Sequence, residues 1–224
     1  MTKLVFRIEI ASLLGETGLI DQKKLGRLAM LCTDLSNGGF KISIVSSGAI
    51  VLGSAKLGLS KPPEALNQKQ AAAAVGMAEL IRIYQNAFDE LKQMVAQVLL
   101  TTDDFGNGKR KQNAMNTLEN LMEKGMIPVI NENDSVSIED IVLGDNYPLA
   151  LNVASLTQSQ LIIIKYINDE RYLILDGFDG SSSEGGEEDI FIAAERCAER
   201  LSRHEKCSGL FPASLNELSF NQAK

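Results

Sequence analysis

Two short polar segments in the middle of the chain carry side chains that could bind a small ligand. Residues 126–130 are all apolar, and the next four residues, 131–134, are amides or carboxylates that end in Asp134. About ten residues further on, Gly144 is followed by Asp145 and Asn146. Carboxylate and amide oxygens accept hydrogen bonds from cationic and neutral donors. These two segments are therefore candidates for the wall of a polar binding site.

The apolar run before Asp134 indicates how that site would be positioned. Five apolar residues are too few for a helix and are typical of a strand buried on both faces of a parallel sheet. In open parallel sheets, ligands bind in the crevice beyond the carboxyl ends of the strands. The alternative is that Asx-rich turns only terminate strands, which suffices for residues 144–146 taken alone. The two segments together favour a site.

A second candidate segment, residues 46–49, has the sequence Ser-Ser-Gly-Ala and follows a predicted strand over residues 41–45. Ser47 and Gly48 would open the next helix, where small residues let backbone N–H groups approach an anion. Small residues also begin helices for structural reasons alone. That alternative remains open for this segment by itself.

The order of the predicted elements indicates an α/β fold. Residues 4–10 alternate as a strand, residues 21–35 have helical spacing, and residues 41–45 form the next strand, which gives a βαβ unit with parallel strands. Further along we predict a helix over 67–91, a strand over 95–101, a loop at 102–105 and a helix over 113–124. A short helix over 149–156, a hairpin of residues 161–167 and 172–175, an acidic surface loop at 181–189 and a helix over 192–201 complete the prediction.

Length and composition predict one domain over residues 1–224, with 45% hydrophobic residues to supply its core. A net charge of −7 argues against a nucleic-acid partner, and no apolar stretch is long enough for a membrane span. Three cysteines without metal-ligand spacing favour a reducing, cytoplasmic location. The sequence contains no P-loop, no dinucleotide fingerprint and no histidine pair, so we predict no metal held by protein ligands alone.

Five motifs, in order and with similar spacing, resemble the glutamate 5-kinases of the amino acid kinase family. They lie at residues 45–50 (Val-Ser-Ser-Gly-Ala-Ile), 69–76 (Lys-Gln-Ala-Ala-Ala-Ala-Val-Gly), 96–105, 113–118 (Asn-Ala-Met-Asn-Thr-Leu) and 128–134 (Pro-Val-Ile-Asn-Glu-Asn-Asp). The resemblance runs from Lys3 to about Ile164 and implies a three-layer αβα sandwich around a mainly parallel sheet. It further implies ATP and Mg²⁺ as cosubstrates and phosphorylation of the γ-carboxylate of L-glutamate, in proline biosynthesis.

The resemblance also implies roles for particular residues. Ser47 and Gly48 would contact the substrate glutamate, Asp134 would hold its ammonium group, and Asp145 with Asn146 would complete the pocket. A homo-oligomer, a dimer or a tetramer, is implied as well. An amino acid requires a carboxylate for its ammonium group and N–H or O–H donors for its carboxylates, and these residues supply both.

The nucleotide half departs from the family pattern. The family's first strand ends in Lys-x-Gly, and this chain has Arg7-Ile8-Glu9 there, so Arg7 takes the place of a catalytic lysine. The family's Thr-Asp-x-Asp-Gly aspartate aligns with Ile167, with Asp176 as the nearest carboxylate, and the second lysine, counted from Gly185-Gly186, aligns with Ile190. Asp176, Gly185 and Gly186 are the remaining candidates for binding the nucleotide.

Two interpretations remain. The protein is either a glutamate kinase of impaired activity, shortened at its C-terminal end relative to the family, or a non-catalytic glutamate-binding or regulatory paralogue that acts with a working kinase. A kinase for another amino acid or small acid is the third class.

Overall fold

The structure is a computed structural model that describes residues 2–15, 19–106, 108–137, 146–168, 171–176 and 182–185. From residue 160 onward only the backbone is described. The predicted helix over 192–201 and the single histidine, His204, therefore lie outside the described residues, as does Asp145.

A seven-stranded sheet forms the centre of the fold. Its strands are β1 (Lys3–Ile8), β2 (Lys41–Ser46), β3 (Val95–Leu100), β4 (Ile127–Glu132), β5 (Gln160–Asn168), β6 (Arg171–Asp176) and β7 (Ser182–Gly185). Their spatial order is β3-β4-β2-β1-β5-β6-β7. Strands β3, β4, β2, β1 and β5 are parallel, whereas β6 and β7 are added antiparallel, so the predicted hairpin after residue 160 is confirmed.

Helices connect the parallel strands. After a short 3-10 helix (Ile10–Leu13) they are α1 (Gln22–Asn37), α2 (Ala49–Lys56), α3 (Leu66–Asp89), α4 (Thr102–Gly106), α5 (Gly108–Glu123) and α6 (Tyr147–Thr157). Asp21 caps α1, as its carboxylate accepts hydrogen bonds from the backbone N–H groups of Lys23 and Lys24. None of the helices in the described residues is both long and apolar enough to cross a membrane.

Two hydrophobic cores, one on each face of the sheet, make the fold a three-layer αβα sandwich, as predicted. Strand β1 contributes to both, because alternate side chains of a strand point to opposite faces. Leu4 and Phe6 pack with α1 and α3 in one core, and Val5 packs with α5 and α6 in the other. All three side chains are fully buried, as expected for a central parallel strand.

Three local predictions differ from the structure. The predicted loop at 102–105 is the short helix α4, because the Asp104 carboxylate accepts hydrogen bonds from the Thr101 backbone N–H (2.7 Å) and from Arg110 Nε (2.6 Å). Residues 182–185, predicted within an acidic loop, form β7, whose backbone pairs with β6. Strand β4 also continues through Asn131 and Glu132, which the sequence suggested to be part of a turn.

Helices α2 and α3 are in backbone contact through two glycines. A Cβ atom built on Gly53 would lie 1.8 Å from the Ala72 carbonyl oxygen, and one built on Gly76 would lie 1.7 Å from the Ala49 oxygen. Ala49 is the first residue of α2, directly after the Ser47-Gly48 segment. The fit of these two helices therefore fixes the position of that segment.

We expect Gly76→Ala to destabilise the protein by about 3 kcal/mol, because the added methyl group can only be accommodated by separating the two helices. Urea unfolding measures this difference. Gly26→Ala is the matched control, since Gly26 lies within α1 and a Cβ there meets nothing within 4 Å. The control should be stabilised by roughly 0.5–1 kcal/mol through its higher helix propensity. Similar unfolding midpoints for the two variants would contradict the close packing of α2 and α3.

Candidate functional site

The carboxyl ends of three neighbouring parallel strands meet at one edge of the sheet. In register, Ile8 of β1 lies beside Ser46 of β2, and Val45 of β2 lies beside Ile130 of β4. A cavity of about 430 Å³ opens at this edge. Four of the residues predicted to bind substrate line it: Ser47, Gly48, Asp134 and Asn146. Chain segments that are far apart in sequence are thus brought together as the sheet topology requires.

A buried hydrogen-bond network supports the floor of the cavity. The Asn146 Nδ2 group donates to the Ser46 carbonyl oxygen and to Asn131 Oδ1, both at 2.8 Å. Tyr84 of α3, fully buried, donates from its hydroxyl group to Ser46 Oγ at 3.0 Å. These bonds use both N–H groups of Asn146 and leave its Oδ1 as the atom that can accept from a ligand.

The Ser47-Gly48 turn is shaped by the chain that follows β1. Ser47 N–H donates to the Ile8 carbonyl oxygen (3.2 Å), and Ile10 N–H donates to Ser47 Oγ (3.3 Å). Gly48 has φ +108°, and a Cβ atom there would lie 2.4 Å from Ile10 Cβ. Only glycine fits both restrictions. Helix α2 starts at the next residue, so its first backbone N–H groups lie at the cavity wall.

Asp134 is a buried carboxylate without a cationic partner among the described residues. Its exposed fraction is 7%, and none of the hydrogen bonds or ion pairs within the described residues involves its side chain. Burial, and after it the nearby carboxylate of Glu132, raise the pKa of Asp134 to about 6. A cationic ligand group beside Asp134 would lower this pKa again. The carboxylate is therefore suited to accept an ammonium group.

The cavity also contains a close ion pair between Arg7 and Glu9. Arg7 Nη2 lies 2.9 Å from Glu9 Oε1, and only 5% of Arg7 is exposed. The two residues can pair because residues two apart on an extended chain share a face. A guanidinium group engaged by a carboxylate, with that carboxylate on the cavity wall, does not fit a polyanionic phosphate group at this position.

Comparison with known proteins agrees with this architecture. Residues 12–169 match the model of the amino acid kinase family. The chain belongs to the amino acid kinase family. It is 36% identical over 211 residues to the glutamate 5-kinase of Clostridium perfringens, an alignment that covers 92% of this chain and 75% of that protein. It is 46% identical over 162 residues to the glutamate 5-kinase of Citrifermentans bemidjiense, covering 72% of this chain.

The chain spans 43% of the length of the Citrifermentans bemidjiense protein, so its similarity concerns part of that protein. Among solved structures, the UMP kinase of Ureaplasma parvum has a TM-score of 0.50 at 17% identity and covers 75% of this chain and 70% of its own. That structural likeness supports the α/β fold. The predicted resemblance to glutamate 5-kinases is confirmed.

Of the residues predicted to bind the nucleotide, Asp176 and Gly185 lie in the described part of the chain. The backbone of Asp176, at the end of β6, lies beside Ile162 of β5, which in turn lies beside Phe6 of β1. Phe6 lies two residues before the carboxyl end of β1. Because β6 runs antiparallel, its last residue lies at this level and not at the carboxyl ends of the parallel strands. Gly185 pairs with Tyr172 near the start of β6, whereas Gly186 and Ile190 lie outside the described residues. A role for these residues stays a prediction.

Sequence reasoning did not select two residues that line the cavity. Asn131 lay within the first polar segment but was not assigned a role, although its Nδ2 is buried without a hydrogen-bond partner among the described residues. Lys69 was recognised only as part of a family motif. It is the fourth residue of α3, and nothing in the local sequence shows that this turn faces the carboxyl ends of the strands. No group of three or more potential metal ligands occurs within the described residues.

Proposed function

We propose that the protein binds L-glutamate in the cavity at the carboxyl ends of β1, β2 and β4. The observation that carries this proposal is the buried Asp134 carboxylate with its pKa raised to about 6. Such a carboxylate gains most from a partner that brings a positive charge. The ammonium group of an amino acid supplies that charge, and Asn146 Oδ1 offers a second acceptor for it.

The donors that glutamate carboxylates require are present in the same cavity. Gly48 and the first turn of α2 supply backbone N–H groups at the wall, whereas the Ser47 N–H already donates to Ile8. Asn131 Nδ2 is a buried donor that makes no hydrogen bond among the described residues. A buried donor of this kind costs about 1–3 kcal/mol when it stays unsatisfied, and a bound carboxylate would remove that cost.

The reaction that we propose is the one that the name of the relatives implies, transfer of a phosphoryl group to the 5-carboxylate of glutamate. ATP with Mg²⁺ would be the cosubstrate, and its phosphates would require cations near the carboxylate. At the end of β1 the described residues do not supply such a cation, because the Arg7 guanidinium group is paired with the Glu9 carboxylate. We therefore propose that phosphoryl transfer is slow.

A second candidate function, a non-catalytic glutamate-binding or regulatory protein, is favoured by the same ion pair. Such a protein would use the glutamate-binding part of the cavity and would not require efficient phosphoryl transfer. The homo-oligomer that the resemblance implies and the cytoplasmic location that the cysteines indicate remain predictions for this chain.

Isothermal titration calorimetry with L-glutamate tests the proposed ligand. We expect saturable binding to the wild-type protein and roughly 100-fold weaker binding to Asp134→Ala, because the ammonium group loses its partner in a buried site. Asp34→Ala, on the exposed face of α1, is the control and should bind like the wild type. Equal affinities of the wild type and Asp134→Ala would contradict the assignment of Asp134.

A further inference from the structure

Four charged side chains line the cavity, and only two of them are paired with each other. Arg7 and Glu9 form the ion pair described above. Lys69 and Asp134, the other two, each form neither a hydrogen bond nor an ion pair within the described part of the chain. The cavity therefore presents one positive and one negative group that contacts among the described residues leave available.

Lys69 and Asp134 also do not neutralise each other. The Lys69 ammonium group and the Asp134 carboxylate form no ion pair with each other, so more than 4.0 Å separates their charged atoms. The two charges thus act on separate parts of one cavity, which suits a ligand that carries charges of both signs.

The position of Lys69 on its helix fits a role in the cavity. The first three residues of α3, 66–68, are exposed, whereas Lys69 is half-buried. An ordered lysine at a cavity wall loses rotamer freedom, and its ammonium group loses part of its hydration. Pairing with a bound anion would offset both effects.

We propose that Lys69 is a specificity-determining residue that pairs with one of the two carboxylates of a dicarboxylic amino acid. The inference rests on the proposed binding of L-glutamate. Asp134 takes the ammonium group and Lys69 takes one carboxylate. The N–H groups of Gly48, the first turn of α2 and Asn131 take the other carboxylate. A ligand in which the carboxylate that faces Lys69 is replaced by a neutral amide would lose the contribution of Lys69 to the binding affinity.

The test compares three ligands on three variants by calorimetry. The ligands are L-glutamate, L-glutamine, in which the 5-carboxylate is an amide, and L-isoglutamine, in which the 1-carboxylate is an amide. The variants are Lys69→Met, Lys69→Arg and Lys56→Met. Lys56→Met is the matched control, because it also removes one lysine charge. Lys56 lies on α2, pairs with Glu79 and does not line the cavity.

We expect Lys69→Met to weaken L-glutamate binding about tenfold and to leave the affinity for one of the two amides unchanged. Lys69→Arg should retain most of the affinity, and Lys56→Met should bind all ligands like the wild type. Unchanged glutamate affinity in Lys69→Met would overturn the inference, as would an equal loss for all three ligands. Failure of the wild type to bind L-glutamate would instead contradict the proposed function itself and the inference with it.

Discussion

Wild-type protein supplied with ATP, Mg²⁺ and saturating L-glutamate should turn over on the order of 10⁴-fold more slowly than an ordinary phosphoryl-transfer enzyme. Phosphoryl transfer depends on cations held ready for the transferring group. Arg7 is held by Glu9 at 2.9 Å, and a second cation is missing from the sequence position of Ile190. Loss of one such group typically costs about 3 kcal/mol, so two losses would cost roughly 6 kcal/mol if the two groups acted independently.

Glu9 adds a repulsive effect of its own. A carboxylate about 4 Å from a phosphate oxygen costs on the order of 4 kcal/mol at an effective dielectric constant near 20. The double variant Arg7→Lys, Glu9→Gly restores the family residues at the carboxyl end of β1, yet we expect its turnover to remain close to background. The aspartate and lysine missing at Ile167 and Ile190 act with the first lysine as a unit, and losses within a unit are strongly non-additive.

A coupled assay for ADP release measures this turnover, with and without glutamate. The assay without glutamate is the control for background ATP hydrolysis. A wild-type turnover of about 1 per second or more would show that other residues supply the charge and would contradict slow transfer. Strong recovery in the double variant would show that the Arg7–Glu9 pair is the whole defect.

Asp134→Asn should stabilise the protein by up to about 3 kcal/mol at pH 7 while it weakens glutamate binding. Because folding raises the pKa of Asp134 from 3.8 to about 6, the folded state binds the proton more tightly than the unfolded state. The stabilisation from this proton is complete below about pH 4 and is lost as the pH rises through 6. At pH 7 the wild type therefore carries an ionised carboxylate that asparagine avoids.

Urea unfolding at pH 4, 5, 6 and 7 measures the effect. The wild type should lose stability relative to Asp134→Asn across this range, with the difference levelling off above pH 6. Asp34→Asn, at an exposed position of α1, serves as the control. Parallel pH profiles for the wild type and Asp134→Asn would mean that folding does not raise the pKa of Asp134.

Glutamate affinity of the wild type should fall below pH 6, because a protonated Asp134 no longer attracts an ammonium group.

These two effects have one physical origin. A carboxylate that lacks a partner destabilises the empty fold and strengthens the hold on a cationic ligand. The buried network of Tyr84, Ser46, Asn146 and Asn131 keeps the surrounding wall in place at the same time. Stability is thus lower at the position where binding requires an unsatisfied charge.

The sequence by itself determined the α/β class, the parallel βαβ start and the association of Asp134 with Asn146 at a polar edge. These follow from local information: short apolar runs predict buried strands, and polar residues at their carboxyl ends meet when the strands are parallel. The pairing of Arg7 with Glu9 was also predictable, since residues two apart on an extended chain share a face.

Only the tertiary structure decided the parts that depend on distant segments. The strand at residues 182–185 forms because the edge of β6 satisfies its backbone groups, which its acidic sequence does not indicate. Lys69 reaches the cavity because the glycine contact of α2 and α3 sets where α3 begins relative to the sheet. The raised pKa of Asp134 likewise requires burial and the approach of Glu132, which come from packing around the strand ends and have no local sequence signal.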